Sequence, residues 1–98
     1  MHARIMHVSL KPERAGEAQA QWAERVERYY KGKDNGFVAG YMLIVDVSNV
    51  LSITLWDSME AIKANEESGD RDEAVRPYLE YFAADPWYEF AEVGAHVV

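Results

Sequence analysis

The stretch from Leu51 to Ser68, LSITLWDSMEAIKANEES, contains the strand-to-helix transition that decides the fold. Its first part, up to Trp56, is dense in β-branched and apolar residues, which is typical of a strand. Asp57 or Ser58 then offers an N-cap for a helix that ends near Gly69. A tryptophan at this junction fits a core residue or the wall of a ligand site. We interpret Trp56 as a core residue with one edge towards a cavity.

The segments on both sides of this stretch complete a regular alternation of elements. Period-two patterns predict strands, and apolar residues at spacings of three and four predict helices. The strands are expected at 3–10, 37–47, 50–56 and 87–97, and the helices at 13–31, 58–68 and, more briefly, within 71–86. The order β-α-β-β-α-β predicts an α+β, ferredoxin-like fold in which two helices cover one face of an antiparallel four-stranded sheet. At 98 residues the chain is expected to form a single domain, 1–98.

The first strand is partly apolar on both of its faces. Arg4, Met6 and Val8 alternate with Ile5 and His7, so neither set is purely polar. The helices cover one face of the sheet, and the other face needs a cover as well. The simplest cover is a second copy related by two-fold symmetry, so we expect a homodimer that pairs through the sheet face.

Composition excludes several classes of function. The net charge is −7 and the basic residues are scattered among acids, which disfavours a nucleic-acid partner. The absence of cysteine excludes disulfides, thiolate metal sites and a cysteine nucleophile. No leader or long apolar run is evident, so we expect a cytoplasmic protein without a membrane partner. No phosphate-binding or hydrolase motif occurs.

The histidines offer a weak case for a metal or a base. His7 in the first strand and His96 in the fourth are expected to be neighbours, because these strands pair in this fold. A catalytic metal usually has three protein ligands, and no third is evident. We therefore interpret both as ordinary sheet residues and expect no metal and no cofactor.

The junction ITLWDSMEAIKA, 53–64, and the hairpin before it, YMLIVDVSNVLSI, 41–53, resemble the antibiotic biosynthesis monooxygenase group of dimeric α+β barrel proteins. The resemblance covers nearly the whole chain in element order. It implies that the fold pairs into a dimeric α/β barrel, with a cavity between helices and sheet in each protomer. The group includes cofactor-independent oxygenases of phenols and quinols, haem-degrading enzymes and proteins with no established activity.

The haem-degrading branch of this group is the weaker alternative. That branch has an asparagine in the first strand, where this chain has Met6, and a tryptophan in the helix after the junction, where this chain has Asn65. Its iron-ligating histidine is also missing, since no histidine occurs between Ser58 and Trp87.

The candidate site is an aromatic cavity. Met6, Trp22, Trp56 and Phe82 are the expected substrate-binding residues, and Asn65, Tyr78 and Tyr41 are the candidate catalytic residues that orient or deprotonate a phenol. The leading hypothesis is a cofactor-independent monooxygenase for a small aromatic or quinol-type substrate. The alternative is a non-catalytic dimeric module that binds a small hydrophobic ligand or has a structural role, so the sequence leaves open whether the protein is an enzyme.

Overall fold

The computed structural model describes all 98 residues, Met1–Val98. The strands are β1 (His2–Ser9), β2 (Phe37–Ile44), β3 (Asn49–Trp56) and β4 (Trp87–Glu92), and the helices are α1 (Ala15–Tyr29), α2 (Met59–Ser68) and α3 (Asp70–Val75). Short 3₁₀ segments cover Pro12–Arg14 and Arg76–Tyr81. The sheet order is β2-β3-β1-β4 and every pair is antiparallel. The predicted ferredoxin-like α+β fold is confirmed.

Two strands are shorter than the sequence pattern predicts. β2 ends at Ile44 because the Asp46 carboxylate accepts the backbone N–H groups of Ser48 and Asn49, each at 2.9 Å, and closes a turn. β4 ends at Glu92, which pairs with His2 at the start of β1. Beyond that pair one further backbone hydrogen bond joins the two segments, from the N–H of Val93 to the carbonyl of Met1 at 2.9 Å.

The end of β4 corrects the expected proximity of His7 and His96. His7 pairs with Trp87 at one end of the β1–β4 ladder, whereas His96 follows Glu92 beyond the other end. Antiparallel pairing places the chain terminus beside the start of β1 and away from His7. The two histidines therefore form no site together.

The strand-to-helix junction forms as the sequence predicts. Ser58, rather than Asp57, caps α2: its hydroxyl accepts the backbone N–H of Ala61 at 3.1 Å. Trp56 is fully buried, and its ring meets the edges of Tyr30 and Phe37 with centroids 5.4 and 5.3 Å away. The tryptophan thus ties the end of β3 to the chain that follows α1.

The two faces of the sheet differ in how they are covered. Arg4, Met6 and Val8 are buried on the face that packs against the helices. The opposite face has no helical cover and carries large side chains of all four strands: Ile5, Tyr41, Leu43, Leu51, Ile53, Leu55 and Trp87. Tyr41, Leu43 and Trp87 are each about half exposed. None of the helices combines the length and apolar character needed to cross a bilayer.

Candidate functional site

A cavity of about 70 Å³ lies between the sheet and the layer formed by α1, α3 and the second 3₁₀ segment. Twenty residues line it, of which fourteen are hydrophobic, and it is partly open to solvent. The remaining lining residues are polar or positively charged. They include Arg4, Arg25 and Arg71 but no Asp, Glu or His. The site is therefore an apolar space with cationic side chains in its wall.

Trp22 forms one wall of the cavity, and its side chain contacts two strands of the sheet. Its indole N–H donates to the hydroxyl of Ser52 on β3 at 2.9 Å. The far edge of its ring lies over Gly40 on β2, where a Cβ atom would come within 3.1 Å of the ring. A glycine at this strand position makes room for the indole.

Arg4 and Arg71 share one carboxylate at the cavity. Nη1 of Arg4 lies 3.4 Å from Oε2 of Glu66, and Nη1 of Arg71 lies 3.2 Å from the same oxygen. The Arg4 guanidinium also lies over the rings of Tyr30 and Trp56, 5.6 and 5.4 Å from their centroids. Burial lowers the pKa of Arg4 from its usual value. An arginine pKa is high enough for the side chain to stay charged at neutral pH.

Tyr78 presents a buried hydroxyl with no hydrogen-bond partner in the protein. Burial raises the pKa of Tyr78 to about 12, so the hydroxyl is protonated at neutral pH and able to donate. Tyr78 is thus a residue of the cavity wall with an unused donor.

The cavity includes four of the seven residues that the sequence proposed for the site. Met6, Trp22, Tyr78 and Phe82 line it. The other three do not. Trp56 is enclosed in the core, and Tyr41 lies on the opposite face of the sheet, where it pairs with Ile53. Asn65 is buried in α2 with both amide atoms unpaired, outside the cavity wall.

The three arginines are the site residues that sequence reasoning missed. Arg4 interrupts the buried face of β1 that Met6 and Val8 continue. Arg25 lies one helical turn after Trp22 on α1, on the same side of the helix. Arg4 and Arg25 are charged residues within periodic apolar patterns, and that interruption was the available signal, whereas Arg71 lies in a charged run that gave none. No group of three or more His, Cys, Asp or Glu side chains is placed to hold a metal ion.

No family model and no curated protein matches the sequence. Solved structures do match. A Nitrosomonas europaea protein provisionally named an antibiotic biosynthesis monooxygenase has a TM-score of 0.79 at 11% identity, covering 97% of this chain and 100% of that one. A Caulobacter crescentus protein with the same provisional name gives 0.79 at 14% identity, covering 96% and 90%.

A third similar structure has no assigned role. It is a Nitrosomonas europaea protein of unknown function, with a TM-score of 0.78 at 14% identity, covering 99% of this chain and 92% of that one. The TM-scores establish a shared fold, whereas sequence identities this low leave the reaction open. The resemblance seen at the ITLWDSMEAIKA junction is thus confirmed at the level of the fold: this chain has the fold of proteins named antibiotic biosynthesis monooxygenases.

Proposed function

We propose that this protein is a cofactor-independent monooxygenase that oxidises a small aromatic or quinol-type substrate in the cavity beneath the helices. The observation that carries the proposal is the unpaired, neutral hydroxyl of Tyr78 in the wall of a mostly hydrophobic cavity. Similar structures that bear the monooxygenase name support the same class of reaction.

The reaction requires the substrate to supply the electrons. An electron-rich phenol or quinol loses a proton, and the resulting anion reduces dioxygen and forms a carbon–oxygen bond at a ring carbon that carries hydrogen. Loss of water from the hydroperoxide leaves a carbonyl group, so one oxygen atom stays in the product and the other leaves as water. The four electrons that reduce dioxygen come from the substrate ring, which is oxidised to a quinone.

The residues of the cavity suit the binding part of this reaction. Met6, Trp22 and Phe82 provide apolar walls for a flat ring and exclude water from it. The Tyr78 hydroxyl donates a hydrogen bond to the substrate oxygen and stabilises charge that develops there. With no Asp, Glu or His in the wall, the proton of the substrate passes to water at the open side of the cavity.

The volume of the cavity limits the size of the substrate. About 70 Å³ is less than the roughly 150 Å³ of an engineered cavity that binds benzene. A single ring therefore requires small movements of the lining side chains, and a second ring has to extend through the open side. We accordingly propose a substrate with one or two rings.

Oxygen uptake tests the proposal. Purified protein is supplied with a panel of one- and two-ring quinols and phenols, and dioxygen consumption is followed with an electrode. We expect uptake with at least one compound and a fall in kcat/KM of about tenfold to a hundredfold in Tyr78→Phe. Tyr29→Phe is the matched control, because Tyr29 lies outside the cavity wall. No uptake with any compound, or equal rates in both variants, contradicts the proposal.

A non-catalytic role is the second candidate, and the small cavity volume favours it. A space largely filled by its own aromatic side chains suits a module that binds a small hydrophobic ligand or serves a structural role. Tryptophan fluorescence separates the candidates, since Trp22 lies in the wall. Saturable quenching by a quinol without oxygen uptake indicates a binding module, and quenching accompanied by uptake indicates the enzyme.

A further inference from the structure

We infer that the cavity binds its ligand as an anion, and that Arg4 is the residue that holds the anionic oxygen. The ligand class is a one- or two-ring aromatic compound with a carboxylate or an acidic phenolic hydroxyl. This inference rests on the proposed function in one respect, which is that the same cavity is the ligand site. It adds the charge of the ligand and the residue that selects it.

Arg4 is a buried cation whose donors are mostly unused. The residue is 3% exposed, and a guanidinium has five N–H donors. Its one hydrogen bond in the protein is the 3.4 Å contact with Glu66, which is long for an ion pair between groups in direct contact. The side chain lines the cavity, so an acceptor there can reach the donors that remain. Burial of a guanidinium with one long ion pair leaves part of its desolvation cost uncompensated, and a ligand oxyanion reduces that cost.

The surrounding charges do not compensate the arginines. Glu66 serves both Arg4 and Arg71, so two guanidinium groups face one carboxylate. Asp72 contacts Arg71 from the solvent side, with most of its side chain exposed. Arg25 donates to the backbone carbonyls of Glu73 and Ala74 and to no carboxylate. The wall therefore carries positive charge beyond what its acids neutralise, in an apolar setting that strengthens attraction for an anion.

The hydroxyl groups of Ser52 and Thr54 also line the cavity. Ser52 accepts the indole N–H of Trp22, and Thr54 accepts that of Trp56, both at 2.9 Å. Each hydroxyl keeps its own O–H, which can donate to a ligand atom in the cavity. Thr54 is the direct partner of Arg4 in the β1–β3 ladder. Together with the arginines and Tyr78, these groups give the wall several donors for an oxyanion, and the arginines disfavour a cation.

Binding of two compounds of equal shape tests the inference. Benzoate and benzamide are titrated against the protein by calorimetry at neutral pH; neither is oxidised, so binding is read separately from catalysis. We expect benzoate to bind at least ten times more tightly than benzamide. Equal affinity, or tighter binding of benzamide, excludes a carboxylate as the ligand group. This comparison uses the unmodified protein and does not depend on whether a variant folds.

A variant then assigns the effect to Arg4. Arg4→Gln is expected to lose at least tenfold in benzoate affinity while benzamide affinity is unchanged, and Arg4→Lys to keep part of the preference. Arg28→Gln is the matched control, since Arg28 is an exposed arginine paired with Glu24 on α1. Circular dichroism confirms folding of each variant. Unchanged benzoate affinity in folded Arg4→Gln overturns the assignment.

A second probe distinguishes a carboxylate ligand from a phenolate ligand. The colour of 4-nitrophenol reports its ionisation, and a nearby arginine is expected to lower the pKa of the bound phenol by about one unit. Benzoate binding without this shift identifies a carboxylate site, and the shift without benzoate binding identifies a phenolate site. Absence of both overturns the inference. Anion binding without oxygen uptake supports this inference and contradicts the proposed monooxygenase activity. Oxygen uptake with neutral quinols but no anion binding supports the monooxygenase activity and overturns this inference.

Discussion

The imidazole of His7 lies flat against the indole of Trp87, with ring centroids 3.6 Å apart and planes 3° from parallel. The two residues are direct partners in the β1–β4 ladder, and Nε2 of His7 contacts Oε1 of Glu89. This stack lies on the sheet face that no helix covers. A half-exposed indole in such a position is an unusual feature for an isolated sheet and suits a surface that another protein covers.

The first prediction is that this face pairs two copies of the chain. Leu43→Glu places a charge among the exposed apolar residues of the face and is expected to convert a dimer into a monomer. Sedimentation over a dilution series measures the mass. Leu79→Glu is the matched control, because Leu79 is an equally large exposed residue on the helical side. A monomer mass for the unmodified protein at every concentration of the dilution series contradicts the prediction.

The second prediction concerns the glycine that precedes β2. Gly36 has a φ of +84°, and a Cβ atom there would lie 2.8 Å from the Cβ of Ala61 on α2. Gly36→Ala is therefore expected to lower the free energy of unfolding by about 1–3 kcal/mol, through backbone strain and the clash. Gly16→Ala in α1 meets no atom and is expected to raise it by about 0.5–1 kcal/mol. Urea unfolding measures the free energy of unfolding of both variants. An equal change in this free energy for Gly36→Ala and Gly16→Ala contradicts the prediction.

The third prediction is a loss of stability in alkali that depends on Tyr78. The folded-state pKa, about 12, lies above the ordinary value of 10 for an unfolded tyrosine. The unfolded chain therefore loses this proton first, and the free energy of unfolding falls as pH rises from 10 through 12. Tyr78→Phe is expected to lose less stability over this range. Part of the decline remains, because burial also raises the pKa of Tyr30 and of Tyr88.

Urea midpoints at several pH values between 9 and 12 give the measurement. Tyr29→Phe is the control that removes a phenol outside the cavity wall. A decline of the same slope in Tyr78→Phe and in the unmodified protein shows that Tyr78 is not the titrating group.

The fourth prediction concerns Asn65, which is 4% exposed and has no partner for either amide atom. Asn65→Leu is expected to raise the free energy of unfolding by about 1 kcal/mol, because an unpaired buried amide costs roughly that much or more. Asn49→Leu is the contrast, since the Asn49 amide donates to Asp46 at 2.9 Å and its loss is expected to destabilise. Clear destabilisation by Asn65→Leu indicates that the amide has a partner in solution, such as a bound water.

The alternation of strand and helix patterns was sufficient to predict the element order and the inward face of β1. Local chemistry also marked the junction after Trp56, where Ser58 caps α2 and Gly69 ends it in a left-handed conformation. The limits of β2 and β4 were not predictable in this way. They depend on the Asp46 turn and on the pairing of Glu92 with the first residue of β1, which are features of pairing and not of local periodicity.

The candidate site was also predictable from the sequence only in part. The aromatic residues Trp22, Tyr78 and Phe82 were evident as cavity candidates because large side chains recur on the inward faces of their segments. The opposite position of Tyr41 follows from the β2–β3 register, in which a shift of one residue reverses the face of every side chain.

The sequence by itself determined the α+β class, the element order and an acidic chain with a net charge of −7. Only the tertiary structure decided that the cavity within this acidic chain is cationic. Net charge is a sum over all residues, whereas the field in a cavity depends on the few charges that the fold brings to its wall. Packing of β1, α1 and α3 places Arg4, Arg25 and Arg71 there, and these segments are far apart in the chain.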